Sequence, residues 1–323
     1  MFGTASSAYQ VEGAWDADGK TINIWDNLTH TRPYLRDGSN GDIAANSYYL
    51  YRRDVEMLKE LGVDYYRFSL SWTRILPTGF SDEINYLGVA YYNNLIDELL
   101  KYDIQPMVTI YHWTLPQKLQ DMGGWINPYV IDWYGDFARV VFKLFGDRVK
   151  YWITINEPHQ ICNYGYGLGI LAPAISLSGV ADYICTKNVL LAHATGYHIY
   201  NNEFRSYQNG IIFITIAIQM FEPKWGNQTD VAYDANEFNF GQYAHPIFSK
   251  TGDFPAVMKK RIATKSAEQG FLRSRLPELS QKEIEFIRGS SDLLGLNHYF
   301  TSYVYRDDTV DYAYPSPSFD DDL

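Results

Sequence analysis

The pentapeptide Thr154-Ile155-Asn156-Glu157-Pro158 carries the sharpest chemical signal in this 323-residue chain. An apolar run through Trp152, Ile153 and Ile155 delivers an amide and a carboxyl group together. Pro158, which has no amide donor, then stops further strand pairing. A carboxyl group at a strand end can give a proton to a leaving group and later take one from water. The competing reading of Glu157 is a cap on the helix that follows. His112-Trp113 closes the run Pro106–His112 in the same way. A histidine there either binds a ligand or is a satisfied core residue, and its place beside Trp113 at a strand end favours binding. Gln10, Arg67, Asn156 and Tyr299 complete the polar set at strand ends. With His112, their amide, imidazole and phenol groups donate and accept hydrogen bonds and the guanidinium donates them, in the combinations that hydroxyl and carboxylate ligands need.

These residues must be positioned by alternating strands and helices. Short β-branched or aromatic runs at Phe2–Ser6, Val63–Leu70, Pro106–His112, Tyr151–Asn156, Ile211–Ile218 and Leu293–Tyr299 predict strands. Helical periodicity predicts helices over Ser47–Leu61, Tyr86–Tyr102, Val130–Phe145, Val180–Asn202 and Gln281–Arg288. In the first of these, Tyr51, Val55, Leu58 and Leu61 share a face, opposite a solvated face with Asp54, Glu56, Lys59 and Glu60. Near-continuous apolar strands separated by helices indicate a parallel sheet covered on both faces. The polar residues gather at one end of several strands, as in a (β/α) barrel. A doubly wound sheet would show a glycine-rich phosphate loop after its first strand. The one glycine repeat, Gly165-Tyr166-Gly167-Leu168-Gly169, follows no strand and reads as a loop. The expected fold is therefore an α/β (β/α)8 barrel of which about six units are present. It forms a single domain over residues 1–305, with an acidic tail at 306–323 that lacks periodicity and is expected to have no fixed structure.

Composition narrows the function. A formal charge of −11 argues against nucleic-acid binding, which needs a concentrated basic surface. No apolar run reaches the roughly 20 residues that span a bilayer. The 28 Tyr, 17 Phe and 8 Trp suit flat apolar ligands as well as cores, and Trp72, Trp125, Trp133 and Trp152 are expected in the core. Cys162 and Cys185 have no metal-ligand spacing and are expected as buried thiols rather than a disulfide. Sequons at Asn27-Leu28-Thr29 and Asn227-Gln228-Thr229, both read as loop-like, point to secretion, with a signal peptide absent from these residues.

Asn-Glu-Pro at the fourth strand resembles the acid/base motif of glycoside hydrolase family 1. Phe2–Gly13 resembles that family's N-terminal signature, Tyr66–Pro77 its second-strand block, Tyr111–Pro116 its third and Gly295–Tyr299 its sixth. The resemblance covers nearly the whole chain and is greatest to animal, particularly insect, β-glucosidases. It implies a β-glycoside substrate, no metal and no organic cofactor. Glu157 would be the acid/base, and Gln10, His112, Trp113 and Asn156 would bind the sugar. Arg67 and Tyr299 would hold a second, nucleophilic carboxylate. Retention requires that carboxylate, which the family places in a Thr-Glu-Asn-Gly-like block after the seventh strand. These 323 residues contain no such block, and every Trp precedes position 226. Two βα units are thus expected to be missing, leaving a chain that does not turn substrate over alone. Ala45-Asn46-Ser47 and Gln242 depart from an Asp-His pair and a Trp common in the family. The leading reading is a retaining β-glycosidase represented by a partial chain. The competing ones are a sugar-binding pseudoglycosidase and a thioglucosidase, the latter less favoured because plant thioglucosidases carry Gln at the acid/base position.

Overall fold

A computed structural model describes residues 1–32, 37–307 and 317–323. Its strands are β1 (Gly3–Ala5), β2 (Tyr65–Ser69), β3 (Gln105–Tyr111), β4 (Tyr151–Asn156), β5 (Ile211–Pro223) and β6 (Leu294–Val304). The principal helices are α1 (Ser47–Leu61), α2 (Tyr86–Lys101), α3 (Val130–Phe145), α4 (Ala181–Ile199), α5 (Gln242–Phe248), α6 (Ala256–Glu268) and α7 (Gln281–Ile287). The strands neighbour one another in sequence order from β1 to β6 in one sheet. Parallel ladders set Ala5 opposite Arg67, Arg67 opposite Met107 and Tyr111 opposite Ile155. Strand order without reversal is that of a (β/α)8 barrel, represented here by six units, and it lacks the switch point of a doubly wound sheet.

The expected elements are present with local differences. Leu61 is exposed rather than on the buried face, because α1 ends there: Gly62, at φ 70°, turns the chain and returns its amide to the Leu58 and Lys59 carbonyls. Strand β5 extends past Ile218, where side chains bond its backbone. Asn236 bonds both the amide and the carbonyl of Phe221, each at 2.9 Å, and Asn239 accepts from the Gln219 amide at 3.2 Å. The glycine repeat is not a plain loop, since Gln160–Gly167 forms a wide π-type helical turn.

The chain packs as two compact units. The first comprises residues 1–156 and 195–214, the second residues 157–194 and 215–323. In the first, Trp72 is fully buried, stacked on Phe137 with ring centroids 4.5 Å apart and set edge-on to Tyr111 and Tyr134. Trp125 and Trp152 are also fully buried, whereas Trp133 is half-buried against Phe80. The buried Arg74 guanidinium meets Glu12 at 2.9 Å and the Gly13 carbonyl at 3.1 Å, while the Tyr92 hydroxyl donates to Glu12 at 2.6 Å. This pair ties down the segment after β1, which holds Gln10. The sequon at Asn27 lies within the helix Ile24–Thr31, with Thr29 buried, so the loop-like expectation fails there.

The second unit corrects two further expectations. Cys162 and Cys185 are not thiols: they form a disulfide that joins the π-type turn to α4. Their spacing in sequence carries no sign of this, because the two positions meet only after α4 folds back. The acidic tail also has structure where it is described. Residues Phe319–Asp322 form a helical turn in which Asp322 is buried and bidentate on Arg275, at 2.5 and 2.7 Å. Asp321 is buried as well and meets Lys265 at 3.3 Å. A carboxylate run that includes Asp321, paired with Lys265, and Asp322, paired with a buried guanidinium, is not simply a solvated one. Residues 308–316 lie outside the described residues.

Candidate active site

Strand β4 delivers Asn156 and Glu157 as the pentapeptide predicts. Asn156 closes the first unit, where it joins Arg67, His112 and Trp113 in one hydrogen-bonded chain. The Arg67 Nε donates to Thr109 Oγ1 at 3.1 Å, and its Nη2 donates to Asn156 Oδ1. Arginine only donates, so the amide atom facing it must be oxygen, and Asn156 Nδ2 faces His112 Nε2 at 3.2 Å as a donor. Nε2 therefore accepts, and the ring proton sits on Nδ1. That nitrogen is buried and has no partner among the described residues. Burial, and the Arg67 cation after it, push the His112 pKa down to about 3, so the ring is neutral at working pH. The result is a neutral imidazole presenting a buried, unanswered N–H.

Trp113 donates its indole N–H to the Asn156 carbonyl at 2.8 Å. It adopts φ 71°, a left-handed conformation that costs a non-glycine residue energy and is kept where surroundings over-determine it. Gln10 stands in the short helix Ala8–Val11, exposed, its Oε1 taken by the Ser7 hydroxyl at 2.7 Å. It is not bonded to the Arg67–Asn156–His112 chain.

Glu157 opens the second unit. It is 4 % exposed and has φ 52°, with its amide donating to the Thr215 carbonyl of β5 at 2.8 Å. Two donors from β6 converge on one carboxyl oxygen: Asn297 Nδ2 at 2.6 Å and the Tyr299 hydroxyl at 3.0 Å, both on Oε1. Oε2 has no hydrogen-bond partner among the described residues. Tyr299, expected to serve the nucleophile, thus rests on Glu157 here. Sequence reasoning places Asn297 with Tyr299 at the end of the last strand but gives it no role of its own. Its signal was the strand period, since residues two apart face the same way and Tyr299 had already been chosen. The positive φ at Trp113 and Glu157 had no sequence signal.

Behind Glu157 the chain is gripped by two consecutive residues of α5. The Tyr243 hydroxyl donates to the Pro158 carbonyl at 3.3 Å, and Gln242 Nε2 lies 3.0 Å from His159 Nδ1. Burial lowers the His159 pKa to about 4, which keeps the ring neutral as the acceptor of that bond. Gln242, the residue that departs from the family's usual Trp, is buried and engaged here. Among the described residues no group of His, Cys, Asp and Glu side chains could hold a metal ion, and no helix is long and apolar enough to cross a membrane.

Residues 1–320 match the family model described as glycosyl hydrolase family 1. The chain is 45 % identical to "Myrosinase 1" of Brevicoryne brassicae over its whole length, spanning 68 % of that protein. It is 47 % identical to human "Lactase/phlorizin hydrolase", of which it spans 17 %. Among solved structures, aphid myrosinase superposes with a TM-score of 0.93 at 44 % identity, covering all of this chain and 69 % of the aphid chain. A rice β-glucosidase superposes with a TM-score of 0.92 at 37 % identity, covering all of this chain and 68 % of its own. The chain belongs to glycosyl hydrolase family 1.

Proposed function

We propose that the protein carrying this chain hydrolyses β-glycosidic bonds with retention, using Glu157 as the acid/base. The observation that carries the reading is the asymmetry of the Glu157 carboxyl group. Tyr299 and Asn297 both donate to Oε1, which fixes that oxygen as an acceptor and leaves Oε2 to carry the proton. In the first step Oε2–H protonates the glycosidic oxygen while a second carboxylate attacks the anomeric carbon. In the next step the Glu157 carboxylate takes a proton from the water that releases the sugar. Arg67 serves the second carboxylate when it is in place, whereas Tyr299, the other partner expected for it, serves Glu157 in this structure. These 323 residues hold no Thr-Glu-Asn-Gly-like block to supply it, so turnover is assigned to the intact protein rather than to this stretch alone.

Sugar hydroxyls are the ligands that the first unit's polar chain fits. The buried His112 Nδ1–H gains a partner when a hydroxyl oxygen accepts from it, and leaving such a donor unpaired costs about 1–3 kcal/mol. Gln10, Asn156 and Trp113 supply further polar and aromatic contacts to the ring. Retained Glu157 favours O-glycosides, because a thiolate leaving group needs little proton assistance. The likeness to "Myrosinase 1" supports S-linked glucosides as the second substrate class. The disulfide and the exposed sequon residue Asn227 support an oxidising, extracellular setting.

Leaving-group dependence tests the assignment. In the intact protein, Glu157→Ala should slow hydrolysis of an alkyl β-glucoside by at least about 10²-fold, and hydrolysis of a dinitrophenyl β-glucoside far less. Equal losses on both would remove Glu157 from the acid role. Sugar binding with no turnover of either substrate by the unmutated protein would favour a pseudoglycosidase instead.

A further inference from the structure

We infer that residues Phe319–Asp322 are an internal latch that holds the turn following Glu157, with Phe319 as the key and Arg275–Tyr183 as the catch. The inference deepens the acid/base reading of Glu157, on which its functional meaning rests.

The segment after Glu157 is a poor candidate for rigidity by itself. Glu157 is left-handed, and the next regular stretch, Gln160–Gly167, is a π-type turn, a form that is rare beyond single turns. Its order is supplied from outside. The His159 ring is edge-on to Phe319 at 5.7 Å, and Phe319 also meets Tyr183 and Phe238, each at 5.9 Å. Phe319 is 6 % exposed, a deep seat for a four-residue turn.

Asp322 secures that seat. Its two oxygens take the Arg275 fork at 2.5 and 2.7 Å, and the Tyr183 hydroxyl donates to Oδ2 at 2.7 Å. The same Arg275 donates to the Gly179 carbonyl at 2.7 Å, just before α4. Tyr183 stands two residues before Cys185, whose disulfide to Cys162 pins the π-type turn. The latch and the disulfide therefore hold one segment from two sides: Phe319 at His159, and Cys185 at Cys162. Because the Asp322–Arg275 ion pair is buried, removing either partner leaves a buried charge without its counter-ion.

Hydrogen exchange on the full chain tests this. Phe319→Ala and Asp322→Ala should each speed amide exchange over residues 159–167 by at least about tenfold, while amides of β2, β3 and β4 keep their rates. Phe319→Leu, which refills the apolar seat, should restore most of the protection. Unchanged exchange over 159–167 in both variants would overturn the latch. So would equal acceleration in every segment with no rescue by Phe319→Leu, which marks general destabilisation. Exchange is read without turnover, so the two readings fail differently. A wrong acid/base assignment leaves the exchange difference intact while the leaving-group test fails.

Discussion

The neutral, Nδ1-protonated state of His112 sets how the stability of the fold depends on pH. Burial and the Arg67 cation move its pKa from 6.5 to about 3. Between those two pH values the unfolded chain binds a proton that the folded ring refuses. Stability therefore falls as pH drops through that window, and this loss is absent above pH 6.5. The gap corresponds to at most about 5 kcal/mol, a ceiling because the residue is only half-buried. Imidazole nitrogen NMR reads the state directly. His112 should stay neutral to below pH 4, with a protonated Nδ1 and an accepting Nε2. Asn156→Asp replaces the donor facing Nε2 with an acceptor, and should move the proton to Nε2 and raise the pKa. His112→Gln should flatten the dependence of unfolding free energy on pH between 4 and 6.5. A wild-type ring that titrates near 6.5, or that carries its proton on Nε2, would refute the donor–acceptor order running from Arg67 through Asn156 to His112.

Two other perturbations act in the second unit. Burial raises the Asp182 pKa from 3.8 to about 6, so the folded state holds a proton that the unfolded chain releases; stability present below pH 3.8 is lost as pH rises through about 6. Asp182→Asn should remove that decline, worth about 3 kcal/mol, as read by denaturant unfolding across pH 3.5–7. Separately, reduction of Cys162–Cys185, which closes a separation of 23 residues, should destabilise the second unit by about 3 kcal/mol; an unchanged melting temperature in reductant would show that the cross-link contributes nothing.

The sequence was most legible where periodicity and strand-end chemistry coincide. The alternation of apolar runs and helical stretches was enough for the strand order, and Asn156, Glu157 and His112 stand where their flanking residues place them. Less legible was whatever depends on distant segments meeting. The disulfide needs α4 to return Cys185 to the turn after Glu157. The burial of Asp322 needs Arg275, 47 residues away in the chain. Neither partner is encoded near the residue it serves, so local composition read one as two thiols and the other as a solvated tail. Backbone strain at Trp113 and Glu157 was likewise invisible, since neither residue type prefers a positive φ. Asn297 lies between these cases: its strand was found and its face was known, but only the folded position of Glu157 gives it a role.

The most direct test of the central claim is product analysis of the intact protein carrying Glu157→Ala, given an activated aryl β-glucoside and sodium azide. Retention passes through a glycosyl-enzyme intermediate, and removing the acid/base carboxylate leaves room for a small anion to attack it. The expected product is a glycosyl azide of β configuration, formed at a rate that rises with azide concentration, with none from the unmutated protein. Failure of azide to accelerate the variant, or an α-configured product, would contradict the placement of Glu157 as the acid/base of a retaining glycosidase.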